Sequence, residues 1–382
     1  MIHKNISLLS QFFFFVDFKF FAPILILYFV EVTGSFALGM SIFSVIFLSQ
    51  ALFEIPTGIF SDLVGRKWTF ILGMIASILA VVFYGIGQSF LILVIGGILE
   101  GLSRSFFSGT DHAILHDSLK EKGLESEFGK YQGKVSSTNQ IGLGISAVLG
   151  GLIAYFWSLN LTIWISLIPQ LIALAICLKF TEPKVFTRGE SNIFNHLKES
   201  LTQFKNNRKL RYLTLSDVFR FALGESAFLF RPAFYAGLWP VWAIGLAGAG
   251  SFFGASIGFY YAGPLIKKFK EFKVLVGEVL INRVINYVSL LFPTVASPAL
   301  MTLTSINFGT AFIALKSLMQ KEFTDQQRAT MGSLSSFMGN LVFAIFALLI
   351  GFIGDYLGPT NGLLILNTLI FILIIFYWKI FK

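Results

Sequence analysis

Twelve acidic and basic residues interrupt otherwise apolar runs of this chain: Asp17, Lys19, Glu54, Glu100, Arg104, Asp111, Asp217, Arg220, Glu225, Arg231, Glu278 and Arg283. At about 3 kcal/mol each near the middle of a bilayer, leaving them in lipid would exceed the net stability of a typical fold. They must be paired, hydrated or close to an interface, and the chemistry open to them is ion pairing, proton carriage and the holding of a polar solute. Glu100, Arg104, Ser108 and Asp111 follow at three- or four-residue intervals, which predicts one shared helix face. On it Glu100 and Arg104 can pair, either as a structural salt bridge or as groups that handle substrate or protons. Asp217 and Arg220 are likewise three apart, whereas Glu225 and Arg231 have no local partner and are the better ligands. Arg283, near Glu278, has no evident role.

Other chemistries find weaker support. His112 and His116 are four apart and could ligate a metal, but His-Ala-Ile-Leu-His lacks the glutamate of the zinc-protease motif. The His112-x-x-x-x-Asp117 spacing also matches some acyltransferases, so a membrane-embedded acyltransferase stands as the alternative enzyme reading, and helix packing as the plainer one. No G-x-x-x-x-G-K-S/T phosphate loop occurs, which excludes an ATP motor of that type. The one cysteine, Cys177, excludes an intramolecular disulfide. No metal and no cofactor is expected.

Helices must position these charges, and the composition provides for them. The 382 residues are 55% hydrophobic and only 13% charged, with mean hydropathy +0.77, which excludes an ordinary soluble domain. Apolar blocks of about 20 residues match a hydrocarbon core of roughly 30 Å. They predict helices at 5–29, 37–60, 68–87, 90–119, 131–157, 161–180, 212–237, 239–266, 274–292, 298–318, 329–353 and 360–381. The first, which contains Asp17 and Lys19 and is followed by no small-residue cleavage site, is expected to be retained rather than removed as a signal peptide. Of the 29 Lys and Arg, all but Lys19, Arg104, Arg220, Arg231 and Arg283 then fall at the termini or in connections on one side. The positive-inside rule makes that side, with both termini, cytoplasmic. The net charge of +9 is therefore topological and implies no nucleic-acid partner.

The expected fold is thus an all-α integral membrane protein: twelve transmembrane helices in two six-helix halves, 1–180 and 212–382, joined by a cytoplasmic linker at 181–211. Within the linker Ile193, Phe194, Leu197, Leu201 and Phe204 recur at helical spacing, which suits an interfacial helix or a solvated connection. A weak repeat supports the division. Gly133, Ser136 and Ser137 match Gly332, Ser335 and Ser336, and Pro23 has a counterpart in Pro232, as expected of parallel halves related by an axis along the membrane normal.

Between the second and third spans the chain reads Gly58-Ile-Phe-Ser-Asp62-Leu-Val-Gly65-Arg66-Lys67. Two glycines permit a tight interhelical turn, and the acid and bases can make helix-end contacts. This G-x-x-x-D-x-x-G-R-K pattern, placed after span two of a twelve-span chain, resembles the major facilitator superfamily. The resemblance implies a conformational latch formed by Gly58, Asp62, Gly65, Arg66 and Lys67, with Asp62 facing the helix that begins near Arg328. Arg66 would reach Asp111 or Asp117. The second-half connection, 263–273, has no matching Asp or Gly-Arg, so the latch is one-sided. The plainer reading is a solvated turn. In span five, Gly142, Ser146, Ala147, Gly150 and Gly151 are similar to the family's antiporter signature, with Ser-Ala in place of Gly-Pro. Gly142, Gly150 and Gly151 equally suit close helix packing.

The resemblance makes spans one, four, seven and ten line the central cavity, and nine of the twelve embedded charges lie on the first three of these: Asp17, Lys19, Glu100, Arg104, Asp111, Asp217, Arg220, Glu225 and Arg231. It implies a secondary transporter of a small organic solute or drug, resembling the drug:proton antiporter branch. Proton-coupled efflux is favoured over uptake; a receptor that binds without transport is a further possibility. Asp17 and Glu225 are the expected coupling carboxylates, because burial favours their protonated form and a bound cation the ionised one. The expected partners are the substrate, protons and the lipid bilayer of the cell membrane (the inner membrane in a Gram-negative cell), with the chain acting as a monomer.

Overall fold

A computed structural model describes residues 4–182, 204, 207–322 and 328–382. The predicted interfacial helix at 193–204 lies outside these residues apart from Phe204. Everything regular among them is helical, one of the two ways in which backbone groups are satisfied where water cannot reach them. In chain order the helices are α1 (Lys4–Val16), α2 (Leu25–Thr33), α3 (Phe36–Val64), α4 (Arg66–Ile86), α5 (Phe90–Phe107), α6 (Thr110–Lys120) and α7 (Phe128–Phe156). Then come α8 (Leu159–Ile165), α9 (Leu167–Leu178), α10 (Arg208–Tyr235), α11 (Val241–Leu291), α12 (Ser297–Glu322), α13 (Arg328–Leu369) and α14 (Ile372–Phe381).

Eight helical stretches among the described residues are long and apolar enough to cross a membrane: Phe36–Val64, Arg66–Ile86, Phe90–Lys120, Glu125–Phe156, Leu159–Leu178, Val241–Leu291, Ser297–Glu322 and Leu334–Phe381. At 51 residues α11 is far longer than one crossing needs, and it is interrupted at Lys270 (φ 68°, ψ 156°). A second interruption falls at Gly358 (φ 81°, ψ 162°) in α13. The predicted first and seventh spans are outside the eight. The seventh is the 28-residue α10, helical throughout but rich in charge. The first is broken between α1 and α2.

The chain forms two compact units, 1–34 with 45–190 and 241–249, and 35–44 with 191–240 and 250–382. In the first unit the rings of Phe13, Phe70, Phe107 and Phe180 surround the fully buried Phe12 at centroid distances of 5.2, 5.1, 5.6 and 6.0 Å. Small residues let backbones meet. A Cβ on Gly142 would overlap the carbonyl oxygen of Phe14, one on Gly150 that of Phe20, and one on Gly151 would lie 2.8 Å from that of Trp242.

The second unit includes the first turns of α3. The exposed carboxylate of Asp355 accepts from the backbone amides of Phe36 (2.6 Å) and Ala37 (3.0 Å) and from the Ser35 hydroxyl (2.6 Å). It thereby satisfies donors that a helix N-terminus leaves open. Some loss of hydration raises the Asp355 carboxyl, but these three hydrogen bonds outweigh it and hold the group below its ordinary value of 3.8.

Candidate functional site

In the first unit a single buried carboxylate gathers three donors. Glu100 on α5 accepts from Lys19 Nζ at 3.2 Å, Arg104 Nη2 at 2.9 Å and Tyr84 Oη at 2.9 Å. Lys19 reaches it because the chain leaves helical geometry between α1 and α2. The first span is therefore not the continuous helix expected from its apolar run. Breaking a helix in an apolar setting strands backbone groups, and side chains from neighbouring helices collect them. Asn139 Nδ2 donates to the Phe13 carbonyl (2.9 Å), Gln170 Nε2 to that of Val16 (2.7 Å), and the Phe20 amide donates to Ser166 Oγ (3.0 Å). Asn139 Nδ2 also donates to Asp17 Oδ2 at 3.0 Å. Two acids, Asp17 and Glu100, thus balance two bases, Lys19 and Arg104. The Arg104 guanidinium lies 5.1 Å from the Phe47 ring centroid, a cation–π distance.

Asp111 does not share the face of Glu100 and Arg104. The predicted fourth span breaks at Ser108 and Gly109, whose φ of 76° suits glycine, and Asp111 opens the new helix α6. There its carboxylate accepts from the His112 amide at 2.7 Å. His112 and His116 each lie near an acid, Asp111 and Asp117, at 4.0 and 3.6 Å. No group of three or more potential metal ligands occurs among the described residues.

In the second unit α10, α12 and α13 enclose a cavity of about 200 Å³, lined by Asp217, Arg220, Phe221, Glu225, Phe308, Phe312, Lys316, Gly332, Ser335, Ser336 and Asn340. Asp217 and Arg220 do not pair, despite their spacing. Asp217 Oδ2 instead accepts from Lys316 Nζ (2.8 Å) and Ser335 Oγ (2.7 Å), so the lysine assigned to a cytoplasmic connection belongs to this cavity. Arg220 Nη2 donates to the Phe308 carbonyl at 2.9 Å, with the guanidinium 4.7 Å from the Phe308 ring centroid. Arg231 is held by the Met301 carbonyl (3.4 Å) and Thr304 Oγ1 (3.2 Å). Arg220, Arg231 and Arg283 make no ion pair within 4.0 Å among the described residues. Glu278 accepts from Asn282 Nδ2 at 2.9 Å, and Arg283 is 6% exposed.

The loop that carries the Gly58–Lys67 pattern is knit within the first unit. Gly65 (φ 115°, ψ 161°) ends α3 and starts α4, a conformation that needs glycine. Arg66 Nη1 donates to Asp62 Oδ1 (2.9 Å) and Ser61 Oγ (2.8 Å), and Arg66 Nε lies 4.0 Å from Asp117. Of the two acids expected for Arg66, it is Asp117 that it approaches. Glu182 caps α4, accepting from the amides of Arg66 (2.6 Å) and Lys67 (2.9 Å).

Tyr84, Asn139, Lys316, Ser335, Asn340 and Glu182 were not singled out from sequence. Ser335 had a faint signal in the repeat with Ser136, and the others had none, because uncharged or loop-end residues do not stand out against an apolar background.

Long apolar helices with ionic groups gathered inside them mark a multi-pass membrane protein. The Major Facilitator Superfamily pattern matches residues 7–242. An uncharacterised MFS-type transporter of Methanocaldococcus jannaschii, MJ1560, is 21% identical over 90% of this chain and 88% of its own. YxaM of Bacillus subtilis, also an uncharacterised MFS-type transporter, is 25% identical over 52% of this chain and 50% of its own. Among solved structures, a mutant of the nucleoside transporter NupG superposes with a TM-score of 0.82 at 15% identity, covering 99% of this chain and 100% of that one. The Escherichia coli fucose:proton symporter FucP gives 0.64 at 18% identity, covering 98% of each chain. The chain belongs to the Major Facilitator Superfamily. It is a membrane transporter and not an enzyme.

Proposed function

We propose that the protein is a proton-coupled secondary transporter that moves a small organic solute by alternating access, through twelve spans with both termini cytoplasmic. The observation that carries this reading is the ionic tier at the broken first span, where Lys19, Arg104 and Tyr84 converge on the buried Glu100. A discontinuous helix whose backbone is satisfied by neighbouring side chains is the arrangement that membrane transporters use beside a solute. The twelve-span count gains support from the interruptions at Lys270 and Gly358, which divide α11 and α13 into two passes each. Taking α1 with α2, α5 with α6, α8 with α9, and the part of α13 beyond Gly358 with α14 as single interrupted passes brings the count to twelve.

Asp17 and Glu225 remain the coupling carboxylates of this reading, and the charge of the solute sets the direction of coupling. A bound cation favours an ionised carboxylate and gives exchange, which is efflux of the drug–proton kind. A bound anion favours the neutral form and gives co-transport, which is uptake. Uptake is strengthened as the second reading because Gly142, Gly150 and Gly151, the residues similar to an antiporter signature, are each engaged in close backbone packing. Gly58, Asp62, Gly65, Arg66 and Lys67 act as the conformational latch.

The test is accumulation in proteoliposomes under pH gradients of either sign, with a panel of neutral, cationic and anionic solutes. Glu225→Gln is expected to abolish gradient-driven accumulation and leave counterflow measurable. Wild-type accumulation by that variant would exclude Glu225 as the essential coupling group.

A further inference from the structure

Two residues in the wall of the second unit's cavity each carry a buried donor with no acceptor among the described residues. Arg220 is 7% exposed, and although Nη2 is engaged by the Phe308 carbonyl, Nε has no hydrogen-bond partner among the described residues. Asn340 is 2% exposed, and its Nδ2 has none either. Both line the same space of about 200 Å³. Buried donors are nearly always matched and buried charges paired, so an arginine that lines a cavity and makes no ion pair within 4.0 Å among the described residues points to a ligand that brings acceptors.

The rest of the wall narrows the chemistry. Lys316 is neutralised by Asp217, which is itself held by Ser335, so neither charge is open to a solute without breaking that pair. Arg220 is thus the cation best able to meet an anion. With Glu225 in the same wall, a monoanion is favoured over a phosphate dianion. A planar guanidinium beside a primary amide suits the two oxygens of a carboxylate.

The body of the solute follows from a comparison of the two units. A Cβ on Gly101 of α5 would strike the Ile46 carbonyl of α3, and one on Gly309 of α12 would strike the Ala255 carbonyl of α11. The two glycines occupy equivalent places, so Phe308 and Phe312 stand where the first unit has Glu100 and Arg104. An ionic tier in one unit is an aromatic face in the other, continued by Phe221.

We propose that this cavity is a subsite for a small monocarboxylate with an aromatic or apolar body, its carboxylate on Arg220 and Asn340 and its body against Phe221, Phe308 and Phe312. The assignment rests on the transporter reading for its purpose but is tested separately from it. The probes are benzoate, phenylacetate and 3-phenylpropionate, each beside its amide and the corresponding amine, scored by thermal stabilisation of the full-length detergent-solubilised protein. In wild type at least one carboxylate is expected to bind about tenfold or more tightly than its amide, the loss typical of a charge-assisted hydrogen bond. Arg220→Gln should erase that preference, Arg220→Lys retain part of it, and Asn340→Ala reduce it severalfold. Equal affinity for carboxylates and amides, no carboxylate binding at millimolar concentration, or a preference that survives both Arg220→Gln and Asn340→Ala overturns the proposal. The wild-type comparison needs no variant to fold. Proteoliposome flux of the same probes separates the two readings: carboxylate binding without flux upholds the subsite and defeats transport of these solutes, whereas flux of amines or amides with no carboxylate preference defeats the subsite alone.

Discussion

Removing Glu100 should harm the protein more than removing Arg104, although the two are partners. Arg104→Ala takes one charged donor from Glu100, yet Lys19 at 3.2 Å and Tyr84 at 2.9 Å remain. The loss is that of one charge-assisted hydrogen bond, about 1.5–3 kcal/mol. It should fall at the lower end, because the Arg104 side chain is 41% exposed. Glu100→Gln instead leaves two cations around a neutral amide, one of them Lys19 at 13% exposure. Stranding a buried charge costs about 3–5 kcal/mol. Taken as an isolated pair four residues apart, Glu100 and Arg104 would give rescue of Arg104→Ala by Glu100→Gln. With Lys19 sharing the carboxylate, the double variant should be less stable than Arg104→Ala, and stability should return only when Lys19→Met accompanies Glu100→Gln. Arg104→Lys should lie between wild type and Arg104→Ala. Thermal unfolding of the detergent-solubilised variants, arranged as a double-mutant cycle, reads this order directly. A Glu100→Gln/Arg104→Ala protein more stable than Arg104→Ala would show that Glu100 belongs to Arg104 alone and refute the three-donor account.

Lys270 occupies a backbone region that is almost reserved for glycine, at a cost of about 1–3 kcal/mol; Lys270→Gly should raise the unfolding temperature, and a lowered one would refute that strain. Asp355→Asn should destabilise by about 1 kcal/mol through the weakened cap of α3. Because the folded Asp355 sits below its ordinary 3.8, its contribution is complete above that value and lost as pH falls through the folded value, so wild type and variant should converge in acid and differ at neutral pH. Gly150→Ala should severely reduce folded yield, since its Cβ would meet the Phe20 carbonyl, whereas Gly129→Ala, with open space around it, should be neutral in a parallel expression and melting series.

What could be read without coordinates was what one helix decides by itself. Glu100 and Arg104 meet because four residues make one turn, and the spacing needs no knowledge of neighbours. Gly65 could be recognised as a turn because its reversal demands a positive φ, whereas Lys270 performs a comparable reversal with no such mark. The Asp217–Arg220 spacing misled, since α12 delivers Lys316 to Asp217 and leaves Arg220 to the Phe308 carbonyl. That exchange depends on which helices are neighbours, and periodicity within α10 carries no such information. The breaks at Asp17 and Gly109 were likewise hidden. An apolar run shows that a segment is buried, but the side chains that make the first break tolerable, Asn139 and Gln170 as donors and Ser166 as acceptor, lie more than a hundred residues away.

The two units differ in a way that bears on coupling. In the first, the charges are matched in number and held: Glu100 by Lys19 and Arg104, and Asp17 by the Asn139 amide, so an incoming charge would have to compete with contacts of about 3 Å. In the second, Arg220 is held by a carbonyl and an aromatic ring, neither of which cancels its charge. A solute anion therefore gains more from the second unit, where it supplies the counter-charge, than from the first, where it displaces one. Once an anion is the occupant, Coulomb repulsion makes it and the ionised form of Glu225 mutually unfavourable, so proton and solute assist each other's binding. Such mutual assistance loads both ligands on the same side of the membrane. On this account the monocarboxylate subsite and co-transport stand together, and efflux by proton exchange requires a cationic solute that the wall around Arg220 is poorly suited to hold.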